Sequence, residues 1–256
     1  MDFNTLSVHG GAMKDENAGS VVNPIYLSTT FERGNQGEIG PKGYMYSRIG
    51  NPNRTALENL LAKMEAGAEA MAFSSGMAAA QAVFQGVLKP GDHVLISDDC
   101  YHGVVHLLSS QYPRWNVTFS GVDMTKVSNV ASAIRPETAL IMLETPSNPL
   151  LKIADIAAIA RLAKERGITT VCDNTWATPF NTQPLELGVE LVLARNVLDR
   201  CLRAEAVGST GGAVLQAREA RGQRVGDGRD FAVARAVVDD GDGPGKGLVD
   251  VDRADR

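Results

Sequence analysis

From Ala70 onward the chain alternates between two hydrophobic periods. Short apolar or β-branched runs at Ala70–Phe73, His93–Ser97, Asn116–Phe119, Ala139–Glu144, Ile168–Val171 and Val189–Leu193 predict strands. Between them, apolar residues three and four apart predict helices over Gly76–Leu88, His102–Ser110, Lys126–Ile134 and Ile153–Arg166, the last closed by Gly167. A further helix is expected over 52–66, where Leu57, Leu60, Leu61 and Met64 share a face and Asn51-Pro52 supplies the cap and first turn. Strands alternating with helices through short links imply an α/β fold with a doubly wound, mostly parallel sheet.

The pattern is weak at both ends. Residues 1–48 are irregular and Gly-rich, and nothing in them builds a core, so they are expected to lie on the main domain or on a second subunit. After Leu193 the composition changes: residues 194–256 hold ten Arg against one Lys, a single aromatic (Phe231) and no Ile. The run Asp239-Asp240-Gly241-Asp242-Gly243-Pro244-Gly245 cannot form a packed element, and the tail is expected to be poorly ordered. The expected division is an arm over 1–48, an α/β domain over 49–193 and an atypical tail over 194–256.

Charge and cysteine content exclude some functions. A net charge of −5 with mixed signs and no basic patch argues against a nucleic-acid partner. Three widely spaced cysteines (Cys100, Cys172, Cys201) give neither a disulfide framework nor a zinc pattern, and fit a reducing cytosol. The amino terminus has no signal segment and no apolar run approaches membrane-spanning length, so a cytoplasmic protein with no membrane partner is expected.

Ligands of open α/β sheets gather where strands end in loops. Three predicted loops carry candidate chemistry. Ser74-Ser75-Gly76-Met77 joins a strand to a helix, so its backbone N–H groups form an anion cradle or, equally, a plain Ser-capped helix start. Glu144-Thr145-Pro146-Ser147-Asn148-Pro149 holds the Asn148 amide on a loop stiffened by two prolines, or is a Pro-rich turn with no ligand. Asp173-Asn174-Thr175 delivers a carboxylate that either accepts from a ligand cation or caps the next turn. His102 and His106 lie one turn apart without a third metal ligand, and Cys172 in its strand reads as packing.

Taken together, Tyr46-Ser47-Arg48 with Asn51-Pro52, Ser74-Ser75-Gly76-Met77-Ala78-Ala79, Glu144-Thr145-Pro146-Ser147-Asn148-Pro149 and Asp173-Asn174-Thr175 with Ala177-Thr178-Pro179 are similar in order and spacing to the pyridoxal-phosphate enzymes of cysteine and methionine metabolism. That family includes cystathionine γ-synthase, the cystathionine lyases, methionine γ-lyase and O-acetylhomoserine sulfhydrylase. The resemblance covers about residues 5–193. It implies pyridoxal 5'-phosphate as cofactor, an aspartate-aminotransferase-type large domain, a small amino-acid substrate and a homo-oligomer. By resemblance Ser75, Gly76 and Met77 bind the cofactor phosphate. Tyr46 and Arg48 reach the phosphate in a neighbouring subunit, and Tyr101 stacks on the pyridine as the candidate catalytic aromatic. Asn148 sits by the phenolic oxygen, Asp173 keeps the ring nitrogen protonated, and Thr175 and Trp176 line the pocket. The implied activity is elimination of a C–S bond or replacement at the γ-carbon through an α-carbanion.

The chain departs from the family at the residue the chemistry most needs. After the strand matching Val189–Leu193, relatives carry a His-Ser-x-Thr-Lys sequence whose lysine forms the Schiff base. Here Ala194-Arg195-Asn196-Val197-Leu198-Asp199-Arg200 follows, and no lysine occurs until Lys246. Gly211-Gly212-Ala213-Val214 is similar to a glycine-rich strand of the relatives but stands a few residues late. The family's small C-terminal domain is expected to be missing. The Arg-rich, Lys-poor composition matches an out-of-frame reading of a GC-rich gene. The chain is therefore expected to be inactive as written, a non-catalytic cofactor-binding or dimerising fragment.

Overall fold

A computed structural model of the chain describes residues 1–35, 37–40, 42–195 and 213–217. Its centre is one seven-stranded sheet. Strands β1 (Glu69–Phe73), β2 (His93–Ser97), β3 (Thr118–Val122), β4 (Thr138–Glu144), β5 (Thr169–Asp173) and β6 (Leu191–Arg195) point one way, and β7 (Ala213–Ala217) runs against them. The spatial order is β1-β7-β6-β5-β4-β2-β3. The expected mostly parallel, doubly wound sheet is present.

The helices are α1 (Phe3–His9), α2 (Pro52–Met64), α3 (Gly76–Val87), α4 (His102–Gln111), α5 (Val127–Ala133), α6 (Ile156–Glu165) and α7 (Thr178–Asn181). The starts of α1, α2, α3 and α6 follow from side-chain caps. Ser75 Oγ accepts the Ala78 N–H at 3.1 Å, and Asp155 Oδ1 accepts the Ala158 N–H at 2.9 Å. The second cap is why α6 begins at Ile156 and not, as the apolar pattern suggested, at Ile153.

Alternation along the strands builds two cores. Leu140 and Met142 of β4 and Val171 of β5 face α3 and α4, where Ala79, Val83, Phe84, Val104 and Leu108 are buried. Ile141, Leu143 and Cys172 face the opposite layer, with Val130 of α5 and Ile159 and Ala163 of α6. The next positions, Glu144 and Asp173, therefore fall on the α3–α4 face at the carboxyl edge of the sheet.

Three elements differ from expectation. α1 lies in the segment read as irregular; Asp2 Oδ1 accepts the Thr5 N–H at 3.1 Å, and Phe3 meets Phe180 edge-on with ring centroids 5.4 Å apart. α7 is a single turn inside the Pro- and Thr-rich loop after β5. The sheet also continues past 193: β6 runs to Arg195, and β7 pairs with β6 and β1 through Leu193↔Leu215 and Met71↔Leu215. Partner strands, not the local composition, decide such pairing. The rest of the expected tail lies outside the described residues.

Candidate active site

The carboxyl edge of the sheet brings together most of the residues singled out from the sequence. At the start of α3, Ser75 spends its hydroxyl on the Ala78 N–H, and the Ala79 N–H donates to the Ser75 carbonyl at 3.1 Å. Gly76 and Met77 are the first two helical residues, whose N–H groups have no acceptor one turn earlier. They form the positive end of a 12-residue helix.

Tyr101 stands beside them. A Cβ placed on Gly103 would lie 2.5 Å from Tyr101 Cε1 and 2.9 Å from Met77 Sδ, so glycine at 103 is what lets the ring, the thioether and α4 approach. Tyr101 is 40% exposed. The Tyr101 N–H donates to Glu144 Oε2 at 2.7 Å, which ties α4 to β4.

Glu144 and Asp173 are register partners on adjacent strands. Both are buried, at 4% and 9% exposure. Burial, then the charge of Asp173, pushes the Glu144 carboxyl up to about 8, with the Tyr101 N–H pulling the other way. Burial also raises Asp173, opposed by hydrogen bonds from Thr175, whose N–H donates to Asp173 Oδ1 at 3.0 Å. Among the described residues no salt bridge reaches either carboxylate. Two facing buried carboxylates without a cation make a site for a positively charged or proton-donating group.

Asn148 is half-buried on the β4–α6 loop. That loop is pinned by Ser147, whose Oγ donates to Asp99 Oδ2 at 2.6 Å and accepts the Lys152 N–H at 2.8 Å. Thr175 is half-buried and Trp176 exposed on the loop after Asp173. Tyr46 and Arg48 lie on the amino-terminal arm. They precede α2, with the Arg48 guanidinium 5.0 Å from the centre of the Tyr46 ring.

Residues 4–196 match the Cys/Met metabolism PLP-dependent enzyme family. The chain belongs to this family. It is 47% identical over 189 residues to cystathionine gamma-synthase of Mycobacterium tuberculosis, covering 74% of this chain and 48% of the relative. It is 44% identical over 193 residues to cystathionine gamma-lyase of Bacillus subtilis, covering 75% and 50%. Among solved structures it is similar to metB from Corynebacterium glutamicum, with a TM-score of 0.79 and 39% identity over 86% of this chain and 56% of that chain. The chain spans about half the length of the curated relatives it matches.

The family's cofactor is pyridoxal 5'-phosphate, and the described residues fit it. Asp173, beside Glu144, offers a buried carboxylate to a pyridinium N–H, the α3 start offers N–H groups without helical acceptors to a phosphate, and Tyr101 is partly exposed beside them. Sequence reasoning missed two contributors. Glu144 entered only as part of a loop motif, although its parity with Asp173 on a neighbouring strand marks it. Glu65 was not singled out, yet it is buried at 1% exposure against Asn174. Its signal was legible: four residues after Leu61 and eight after Leu57, it puts a carboxylate on the apolar face of α2.

Proposed function

We propose that the α/β domain binds pyridoxal phosphate and descends from an enzyme acting on a sulfur-containing or homoserine-derived amino acid. The observation that carries this is the buried pair Asp173–Glu144, to which no salt bridge reaches among the described residues, on the α3–α4 face beside Tyr101. In this reading Asp173 holds the proton on the ring nitrogen, Gly76 and Met77 donate to the phosphate beside Ser75, and Tyr101 covers the ring. Asn148 and Thr175 border the pocket. When bound, the protonated cofactor supplies an electron sink that stabilises the carbanion left by loss of a substrate α-proton. Tyr46 and Arg48 serve a neighbouring subunit's phosphate, so the working unit is a homo-oligomer.

The chain as written does not turn over. No lysine stands between Lys164 and Lys246, so nothing at the end of β6 anchors the cofactor or moves the α-proton. General acid–base catalysis alone contributes about 10²–10⁴-fold. Titration with pyridoxal phosphate tests both parts: saturable binding is expected, weakened at least about tenfold by Asp173→Asn, a loss comparable to that of a charge-assisted hydrogen bond. Borohydride reduction followed by peptide mapping should give only scattered labelling. A stoichiometric adduct at one lysine, with turnover of cystathionine, methionine or O-acylhomoserine, overturns the non-catalytic reading.

A further inference from the structure

Asn174 follows Asp173 directly and is fully buried, at 0% exposure. Its side-chain Nδ2 donates to Glu65 Oε1 at 3.0 Å, to Glu65 Oε2 at 3.3 Å and to the Thr182 carbonyl at 2.9 Å. Its main-chain N–H donates to the Leu193 carbonyl at 2.8 Å, and its own carbonyl accepts the Thr178 N–H at 2.8 Å. Next to Thr182, Gln183 Nε2 donates to the Met64 carbonyl at 2.5 Å. The loop after β5 is thus fastened at both ends to the carboxyl end of α2.

Glu65 is an expensive residue for this place. It is 1% exposed, and no described salt bridge includes it. An apolar side chain there would extend the buried face of α2 without the desolvation penalty of a carboxylate. Its contribution is directional: two oxygens share one Asn174 N–H while the Thr182 carbonyl takes the other, which fixes the amide in plane and sets the backbone turn that begins at Asp173.

We propose that Glu65 is a positioning residue for Asp173, holding the β5 strand end through Asn174 so that the Asp173 carboxylate is preorganised for the ring nitrogen of the cofactor. This rests on the reading of the site as a pyridoxal-phosphate site. α2 then links two functions, because its amino end carries the segment with Tyr46 and Arg48 and its carboxyl end sets Asp173.

The test uses the full chain with two probes: pyridoxal phosphate, and phenyl phosphate, which has a ring and a phosphate but no ring nitrogen. Glu65→Ala is expected to weaken pyridoxal phosphate about tenfold and leave phenyl phosphate unchanged, while Glu65→Gln, which keeps an acceptor for Asn174, restores affinity to within about twofold. In an Asp173→Asn background Glu65→Ala should cost nothing further. Full additivity in that background, or equal loss for both probes, overturns the proposal. Amide hydrogen exchange on the free protein decides it even if the wild type binds no pyridoxal phosphate, an outcome that would refute only the site reading. Glu65→Ala should speed exchange at Asn174, Thr175 and Thr178 while leaving Leu95 and Ile96 of β2 unchanged. No change at the first three, or a rise at all five in step, refutes the role of Glu65.

Discussion

Single residues carry their chemistry through burial. The Glu65 carboxyl is pushed up to about 7 by burial, with the Asn174 amide opposing. In the unfolded chain it ionises near its ordinary value of 4.5. Over the interval between those values the unfolded chain releases a proton that the fold retains, so Glu65 costs stability as pH rises, levelling off above about 7. Glu65→Gln removes this linkage. Thermal melts should show its midpoint advantage over the wild type growing between about pH 5 and pH 7.5; a constant difference refutes the assignment. Tyr112 makes a simpler case. It is fully buried between Phe84 and Trp115, and its hydroxyl has no partner among the described residues. Tyr112→Phe should stabilise the fold by about 1 kcal/mol, read from denaturant midpoints. Asp173 was legible in the sequence because strand-end carboxylates stand next to loop residues. The hydroxyl of Tyr112 was not, since nothing in a sequence tells which ring ends up without an acceptor.

At the scale of elements, most of the sheet could be read in advance. β2 and β4 carry apolar runs buried on both faces (Val94, Leu95 and Ile96; Leu140, Ile141, Met142 and Leu143), and each is followed by a helix whose apolar residues join one of the two cores. What could not be read is what depends on partners. β7 begins in the Gly211-Gly212-Ala213-Val214 stretch that is similar to a strand of the relatives, but only its pairing with the edges of both β1 and β6 shows where it lies. Truncation after residue 195 should leave those two edges open and lower soluble yield relative to truncation after 217, measured by gel filtration of matched preparations. The amino-terminal ends of the central strands hold a second partner-dependent feature. Arg135 donates its main-chain N–H to Thr138 Oγ1 at 2.8 Å and its guanidinium N–H to Ser120 Oγ at 2.9 Å, and the His93 ring lies between these hydroxyls, with Nδ1 2.9 Å from Thr138 Oγ1 and Nε2 3.0 Å from Ser120 Oγ. Burial, reinforced by the Arg135 charge, lowers the His93 pKa from its ordinary 6.5. As pH falls below that value the unfolded chain takes up a proton the fold refuses, so stability is lost toward acid. His93→Gln should flatten that acid-side decline in a melt series; an unchanged slope removes His93 as its cause.

For the whole molecule, the two ends of the described chain differ in kind from its centre. The centre buries its apolar residues in two layers, whereas Val21, Val22, Ile25 and Leu27 on the amino-terminal arm are between 71% and 94% exposed. Around these residues the arm is held to the domain by polar contacts: Asn53 Oδ1 accepts the Tyr26 N–H at 2.8 Å, and Asn53 Nδ2 donates to the Pro24 carbonyl at 2.7 Å. Such contacts fix the path of the chain without covering its side chains. An apolar strip on a segment with a set path is suited to a second copy, in agreement with the role proposed for Tyr46 and Arg48. Light scattering on the full chain at micromolar concentration should therefore report a dimer or larger. The double variant Val21→Asp with Leu27→Asp should run as a monomer with unchanged far-ultraviolet circular dichroism, because neither side chain contributes to the two cores. It should also bind pyridoxal phosphate more weakly than the wild type, since each site then lacks the partner's Tyr46 and Arg48. A wild type that stays monomeric, or a monomeric variant with undiminished affinity, would show that each site is complete within one chain.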